Sequence, residues 1–351
     1  MNSHDPDKLI EFPVFSEQSK SLLKKYLTPE LFNRLKTKKT INGYSFKKLI
    51  NSGILNQDSS IGVYAGDIES YSTFTDLLTP VIHSYHNYTE TSRHGKDFTL
   101  LDNAFNNPDP GNNYILSTRI RVGRNLETFP LGPAISQKER KEVEQKISQT
   151  LLNLQGDLSG NYHSLQTMKE EVRQNLIEAH LLFKEGDRFL DAAGLNRDWP
   201  EGRGIFYNND RNFLVWINEE DQLRIISMEK GGDICSVFNR LSRAVTSLEK
   251  SLDFLFDDHI GYITSCPTNI GTAMRASVHI KLPKLSLNMD LFQKTADDLN
   301  IQIRGIHGEH SESEGGVFDI SNKRRLGLTE KECIMDLYHG VLKLISMEKT
   351  L

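Results

Sequence analysis

From about residue 87 to residue 112 the chain loses all hydrophobic periodicity, and the patterns on either side of that stretch differ in kind. The stretch is rich in Asn, Asp, Gly and Pro (NAFNNPDPGNN), a composition that interrupts helices and strands alike. Before it, apolar residues recur at helical spacing: Leu22, Leu23, Tyr26 and Leu27, then Leu31, Phe32 and Leu35, then Phe74, Leu77, Leu78, Val81 and Ile82. Thr28 followed by Pro29 reads as an N-cap with proline at the first helical position, and Ser45 as the cap of a helix carrying Phe46, Leu49 and Ile50. After it, YILSTRIRVG alternates as a strand, and GIFYN, FLVWIN and LRIISME form three strand-like runs joined by short polar turns, an antiparallel meander. GYITSCP, RASVHIKLP, IQIRGI and VFDISN read as further strands. Residues 140–190, the stripe from Ile234 to Leu248, MDLFQKTADDLN and a segment with a Thr329/Glu332 capping box read as helices. The expectation is an α+β chain with a small all-α domain over 1–90 and a linker over 91–112. A larger domain over 113–351 carries an antiparallel β-sheet flanked by α-helices.

Composition removes several functional classes. The net charge of −5 and the lack of a basic stripe argue against a nucleic-acid partner. Lys323, Arg324 and Arg325 form only a short cluster, read as solvated. Cys235, Cys266 and Cys333 are odd in number and widely spaced, which suggests neither a disulfide framework nor a zinc site and fits a reducing compartment. The start, MNSHDPDKLIEF, has no apolar signal region, and no run of about 18 apolar residues exists to span a membrane. The expected location is cytoplasmic. No G-x-G-x-x-G opens a helix after a strand, and the phosphate loop, the HExxH helix and the nucleophile elbow are absent.

What the chain has instead is arginine on strands. In STRIRVG, alternation puts Ser117, Arg119 and Arg121 on one face and Thr118, Ile120 and Val122 on the other. The apolar face must pack, so two guanidinium groups stand about 7 Å apart on the opposite one. In MRASVHI the same rule groups Arg275, Ser277 and His279, while Arg224 sits in LRIIS and Arg304 in IQIRGI. Five such cations on a shared face repel one another unless an anion lies among them, and a triphosphate suits planar guanidinium donors. Acids complete the pattern. Glu219, Glu220 and Asp221 occupy a meander turn, and Glu309 sits in the glycine-bounded HGEHSESEGG. Glutamates beside bound phosphate can hold a cationic, bidentate acceptor. Cys266, at a strand end in SCPTNIG, reads either as a small buried residue or, beside cations, as a low-pKa thiolate.

At these residues the sequence resembles the phosphagen kinases, the family of arginine and creatine kinases. The resemblance runs through STRIRVGRN, HLLFKEGDRFL, WPEGRGIF, FLVWINEEDQLRIISMEKGGD, CPTNIGTAMRASVHIKLPKL and RGIHGEHSESEGGVFDISNKRRLGLTE, and covers nearly the whole chain. It implies a helical domain followed by a glutamine synthetase-like catalytic domain, and reversible transfer of the ATP γ-phosphoryl to a guanidino nitrogen. It places the ATP or ADP phosphates on Arg119, Arg121, Arg224, Arg275 and Arg304, with Ser117, His180 and His279 also at the nucleotide. Glu220 and Glu309 would clamp the acceptor guanidinium, and Cys266 would touch it as a tuned thiolate. Ser60, Ile61 and Tyr64 would meet the acceptor's far end, and Asp58 with Arg188 would form a closure pair. Mg2+ would be held by phosphates and water, without a protein metal motif. The short Asp58–Tyr71 segment, Glu309 and CPTN point to the arginine branch. Ile306 and His307 depart from its usual loop, and Ser60 and Gly66 from its usual acceptor segment, which keeps taurocyamine or another guanidine as the alternative. A catalytically degenerate nucleotide-binding protein is the remote alternative, and a monomer is the expected state.

Overall fold

The computed structural model describes residues 11–88, 93–102, 105–305 and 315–351. The first helices are α1 (Leu22–Tyr26), α2 (Pro29–Leu35), α3 (Phe46–Leu55), α4 (Glu69–Thr73) and α5 (Thr75–His86). Their starts follow the caps written in the sequence: the Thr28 and Ser45 side chains accept from Leu31 N and Lys48 N, with Pro29 at the first position of α2. Helix α5 continues through Pro80 and closes on Asn87, whose φ of 49° is left-handed.

The second part begins with β1 (Ile115–Arg124), followed by α6 (Gln137–Leu151), β2 (Gly160–Ser164), α7 (Glu170–Glu178), α8 (Arg188–Ala192) and the meander β3 (Gly204–Asn208), β4 (Phe213–Ile217) and β5 (Leu223–Lys230). Then come α9 (Ile234–Leu248), the two-residue strands β6 (Phe256–Asp257) and β7 (Gly261–Tyr262), β8 (Met274–Lys281), α10 (Met289–Asp298), β9 (Ile301–Arg304), β10 (Val317–Asn322) and α11 (Glu330–Thr350). Eight strands form one sheet in the order β2-β3-β4-β5-β1-β8-β10-β9, with antiparallel pairing throughout.

The alternation read from the sequence decides which face is which. Ile120, Val122, Ile225, Ala276, Val278 and Ile320 turn to the inner face and pack against Val237, Phe238 and Leu241 of α9 and Leu337 and Val341 of α11. The opposite face carries the arginines. A second cluster joins the helical part to the sheet part, because Leu23, Phe32, Leu49 and Phe74 pack in one group with Ala193, Leu195, Cys266, Ile270 and Leu326. Among the described residues no helix is long and apolar enough to cross a membrane.

The fold corrects three expectations. Residues 140–190 are not all helical, because Gly160–Ser164 form the edge strand β2 against β3. GYITSCP is not a strand beyond Gly261–Tyr262; the chain then runs through a buried loop to a single 3-10 turn at Pro267–Asn269. Its apolar residues are buried by contact with the helical part rather than by a ladder. Arg325 is not solvated, since its Nη1 donates to the Thr268 carbonyl at 2.9 Å and to Asn269 Oδ1.

Candidate active site

Strand register brings the arginines together. Arg121 of β1 lies directly opposite Arg275 of β8, and Gly123, two residues on, lies opposite Arg224 of β5. Ser117 lies opposite His279, His279 opposite Asp319, and Asp319 opposite Arg304, so one row crosses four strands. Above this face opens a cleft of about 810 Å³ whose lining includes Ser117, Arg119, Arg121, His180, Arg275 and His279. Arg224 lines a narrow extension of about 10 Å³ together with Arg121, Asp221, Asn269, Arg275 and Arg325. Arg304 does not line the cleft among the described residues; its Nη2 donates to Gln302 Oε1 at 3.0 Å.

The cations are unequally compensated. Arg224 is buried and bonded to Glu219 at 2.6 Å and Glu220 at 2.8 Å; burial opposes its charge, but these two carboxylates hold it above its ordinary range. Arg275 pairs with Asp319 at 2.9 Å. Burial also opposes the Asp319 charge, yet His279, 3.7 Å away, and Arg275 hold that carboxyl below its usual range. Arg119 and Arg121 have no such partner among the described residues. Burial, then Arg224 and Arg275, push Arg119 down to about 10, and the same causes push Arg121 well below its ordinary range. Arg119 Nη1 reaches the His180 carbonyl at 3.4 Å, while its Nε and Nη2 are buried without a partner among the described residues. His180 itself sits at φ 56°, in the left-handed region. A surplus of positive charge facing a cleft is an anion site, and its fixed donors suit phosphate oxygens.

The acids stand beside Arg224. Glu220 Oε2 accepts from Arg224 Nη2 at 2.8 Å and its Oε1 from Asn269 Nδ2 at 3.2 Å. Asp221, beneath it, is bonded by Asn125 at 2.9 Å; burial and the Glu220 charge push it up to about 7. Cys266 packs close by with its Sγ 3.1 Å from Thr268 Oγ1. In the ligand-free chain burial, then the Glu220 carboxylate, push its thiol up to about 12. Its near neighbours are carboxylates, not cations. The Tyr64 phenol is lifted above its usual range, chiefly by burial, and its ring packs in the cluster that contains Cys266. The Ser60 and Ile61 carbonyls accept from Leu22 N and Leu23 N at 3.0 and 3.1 Å, fixing the loop on α1, with Ile61 buried and Ser60 exposed. Asp58 and Arg188 meet in a bidentate ion pair, exposed on both sides, with one bond at 2.9 Å. Glu309, Ile306 and His307 lie outside the described residues.

Sequence reasoning missed Asp319, Asn269 and Trp216. The Trp216 ring faces the Arg119 guanidinium at 5.4 Å and donates its Nε1 hydrogen to the Leu181 carbonyl at 2.7 Å. Asp319 was open to detection, because alternation in VFDISN puts it on the arginine face opposite His279.

The comparisons with known proteins come down on one family. The C-terminal catalytic domain of ATP:guanido phosphotransferases matches residues 142–351, and their N-terminal domain matches residues 17–83. An arginine kinase of Anthopleura japonica is 56% identical over 335 residues, covering 94% of this chain and 47% of its own. Arginine kinase Lit v 2 of Penaeus vannamei is 51% identical over 332 residues, covering 94% of this chain and 93% of its own. Among solved structures, substrate-free duplicated taurocyamine kinase from Schistosoma mansoni superposes with a TM-score of 0.88 at 42% identity over 95% of this chain and 47% of its own. Lombricine kinase superposes with a TM-score of 0.88 at 36% identity over 97% of this chain and 94% of its own. The chain thus spans about half the length of the Anthopleura relative and of the duplicated enzyme, and nearly all of the Penaeus one.

Proposed function

Because the chain belongs to the ATP:guanido phosphotransferase family, we propose that it moves the γ-phosphoryl of ATP reversibly onto the guanidino group of L-arginine, giving phosphoarginine and ADP. The observation that carries this reading is the convergence of Arg119, Arg121 and Arg275 in one cleft, under-compensated by protein anions among the described residues, with Glu220 bonded to the neighbouring Arg224.

Phosphoryl transfer asks a protein chiefly for alignment and charge neutralisation. Arg119, Arg121 and Arg275 would hold the polyphosphate along the sheet, with Arg304 at the β9 edge and His180 and His279 beside the nucleoside. Arg224 would meet the transferring phosphoryl group, being tethered on one side by Glu219 and Glu220. Glu220 keeps lone pairs free for two guanidinium hydrogens, and Glu309 would be its counterpart; either can take the proton lost as the N–P bond forms. Cys266, as a neutral thiol in the free protein, would lie against the same guanidinium. Ser60, Ile61 and Tyr64 would bound the amino-acid end of the acceptor, and the Asp58–Arg188 pair would hold the two domains closed. Mg2+ would arrive on the phosphates, where it would supply further charge neutralisation.

Arginine is favoured over taurocyamine because the relatives named arginine kinases share more of this sequence than the taurocyamine and lombricine kinases do. Free cysteines at 235, 266 and 333 support a reducing, cytoplasmic setting, and a monomer completes the reading. The test is ADP release with MgATP and a panel of arginine, taurocyamine, lombricine, glycocyamine and creatine. Turnover with arginine above the others is expected. Preference for another guanidine would overturn the acceptor assignment, and no turnover with any would overturn the reaction.

A further inference from the structure

The loop from Thr264 to Asn269 joins β7 to β8, carries Cys266, and has five successive carbonyls held by donors. Tyr71 Oη donates to the Thr264 carbonyl at 2.8 Å, and Ala65 N to that of Ser265 at 2.7 Å. Thr264 Oγ1 donates to the Cys266 carbonyl at 2.8 Å, and His86 Nε2 lies 2.8 Å from that of Pro267. Arg325 Nη1 donates to the Thr268 carbonyl at 2.9 Å. Tyr71, Ala65 and His86 come from the helical part of the chain. A carbonyl can only accept, so His86 carries its proton on Nε2. Burial pushes His86 down to about 4, which keeps that tautomer neutral across ordinary working pH.

The loop ends on Asn269, whose side chain is held at both ends. Its Oδ1 accepts from Arg325 Nη1, and its Nδ2 donates to Glu220 Oε1 at 3.2 Å. Arg224 takes the other oxygen of the same carboxylate. Two donors on different oxygens fix the plane of Glu220, and that plane decides whether a guanidinium can bind it in line with a phosphoryl group. The chain Arg325–Asn269–Glu220 therefore runs from the clasped loop to the acid.

We infer that Asn269 is a positioning residue for phosphoryl transfer and that His86, by clasping Pro267, makes its alignment depend on the docking of the helical domain. The inference rests on the transfer reading above. Loss of one hydrogen bond to a charged group changes a rate by about 10–100-fold when the bond is needed in the transition state.

The experiment compares N269D, H86A and H86Q with the wild-type chain in kcat, KM and hydrogen exchange. N269D keeps the shape and the acceptor for Arg325 but turns an oxygen toward Glu220. It is expected to lower kcat about 10–100-fold while KM for MgATP moves less than about threefold. H86A is expected to lower kcat and speed exchange over residues 264–270, and H86Q, whose amide can donate to the same carbonyl, to restore both. Wild-type kcat in N269D, or equal impairment in H86A and H86Q, would overturn the inference. A wild-type chain inactive on every guanidine would overturn both readings, whereas an active one with indifferent variants overturns this one alone.

Discussion

Replacing Arg119 by methionine should make the ligand-free protein more stable and the nucleotide-bound protein less so. The sign follows from the surroundings of its guanidinium. Nε and Nη2 are buried without partners among the described residues, and each such donor costs about 1–3 kcal/mol. Against this stand the Trp216 ring at 5.4 Å, worth about 0.5–2 kcal/mol, and the long bond to the His180 carbonyl, worth about 1 kcal/mol or less. Methionine fills the same corridor without donors, so the net gain is about 1–3 kcal/mol. Unfolding entropy of roughly 2.1 cal/mol/K per residue over 351 residues gives about 0.7 kcal/mol/K, so Tm rises by about 1–4 °C. MgATP at a hundred times its Kd stabilises the wild type by about 2.7 kcal/mol, and the variant should lose most of that protection. Its turnover should fall by about 10²–10³, the usual effect of deleting one transition-state donor. Thermal melts with and without MgATP, and the ADP-release assay, read all three. A variant with a lowered ligand-free Tm, or one that keeps its MgATP shift, would show that Arg119 is a structural cation rather than half of an anion site.

Three further outcomes are expected. Because Asp58 and Arg188 are both exposed, D58A should leave the urea midpoint almost unchanged while raising KM for arginine; equal effects on urea midpoint and KM would remove its closure role. With the Cys266 thiol at about 12, alkylation of the ligand-free protein at this site should climb about tenfold per pH unit up to pH 10, and a plateau near pH 8 would restore the thiolate. His94 is buried and lowered from 6.5 to about 4 by burial and by Arg124, so the native state resists its protonation while the unfolded state does not. Its contribution is complete above pH 6.5 and is lost as pH falls toward 4, by up to about 3 kcal/mol; H94F should flatten that limb of urea midpoint against pH.

The parts of the fold legible in the sequence are those where one local period decides the outcome. Alternation in STRIRVG and MRASVHI fixed the arginine face because the opposite residues had to pack, and the Thr28, Ser45 and Thr329 caps announced their helices. GNYHS escaped notice because an edge strand of half-buried polar residues has little alternation to show. GYITSCP misled because its apolar residues are buried by another part of the chain, which a period cannot reveal. Arg325 looked solvated at the end of a run of three cations, and only the fold shows it turning inward while Lys323 and Arg324 pair with Asp297 and Asp336. The ionisation of Cys266 was illegible for a similar reason: the burial that chiefly raises it, and the Glu220 charge that adds to it, come from distant parts of the chain.

The apolar cluster that joins α1–α5 to Ala193, Leu195, Cys266, Ile270 and Leu326 has a consequence for dividing the molecule. Neither part owns its whole interior. Severed within residues 105–112, the chain would yield two fragments, each with a greasy flank shaped to fit the other. Their reunion would have to remake the seam itself, so the chain is laid out as a natural split pair.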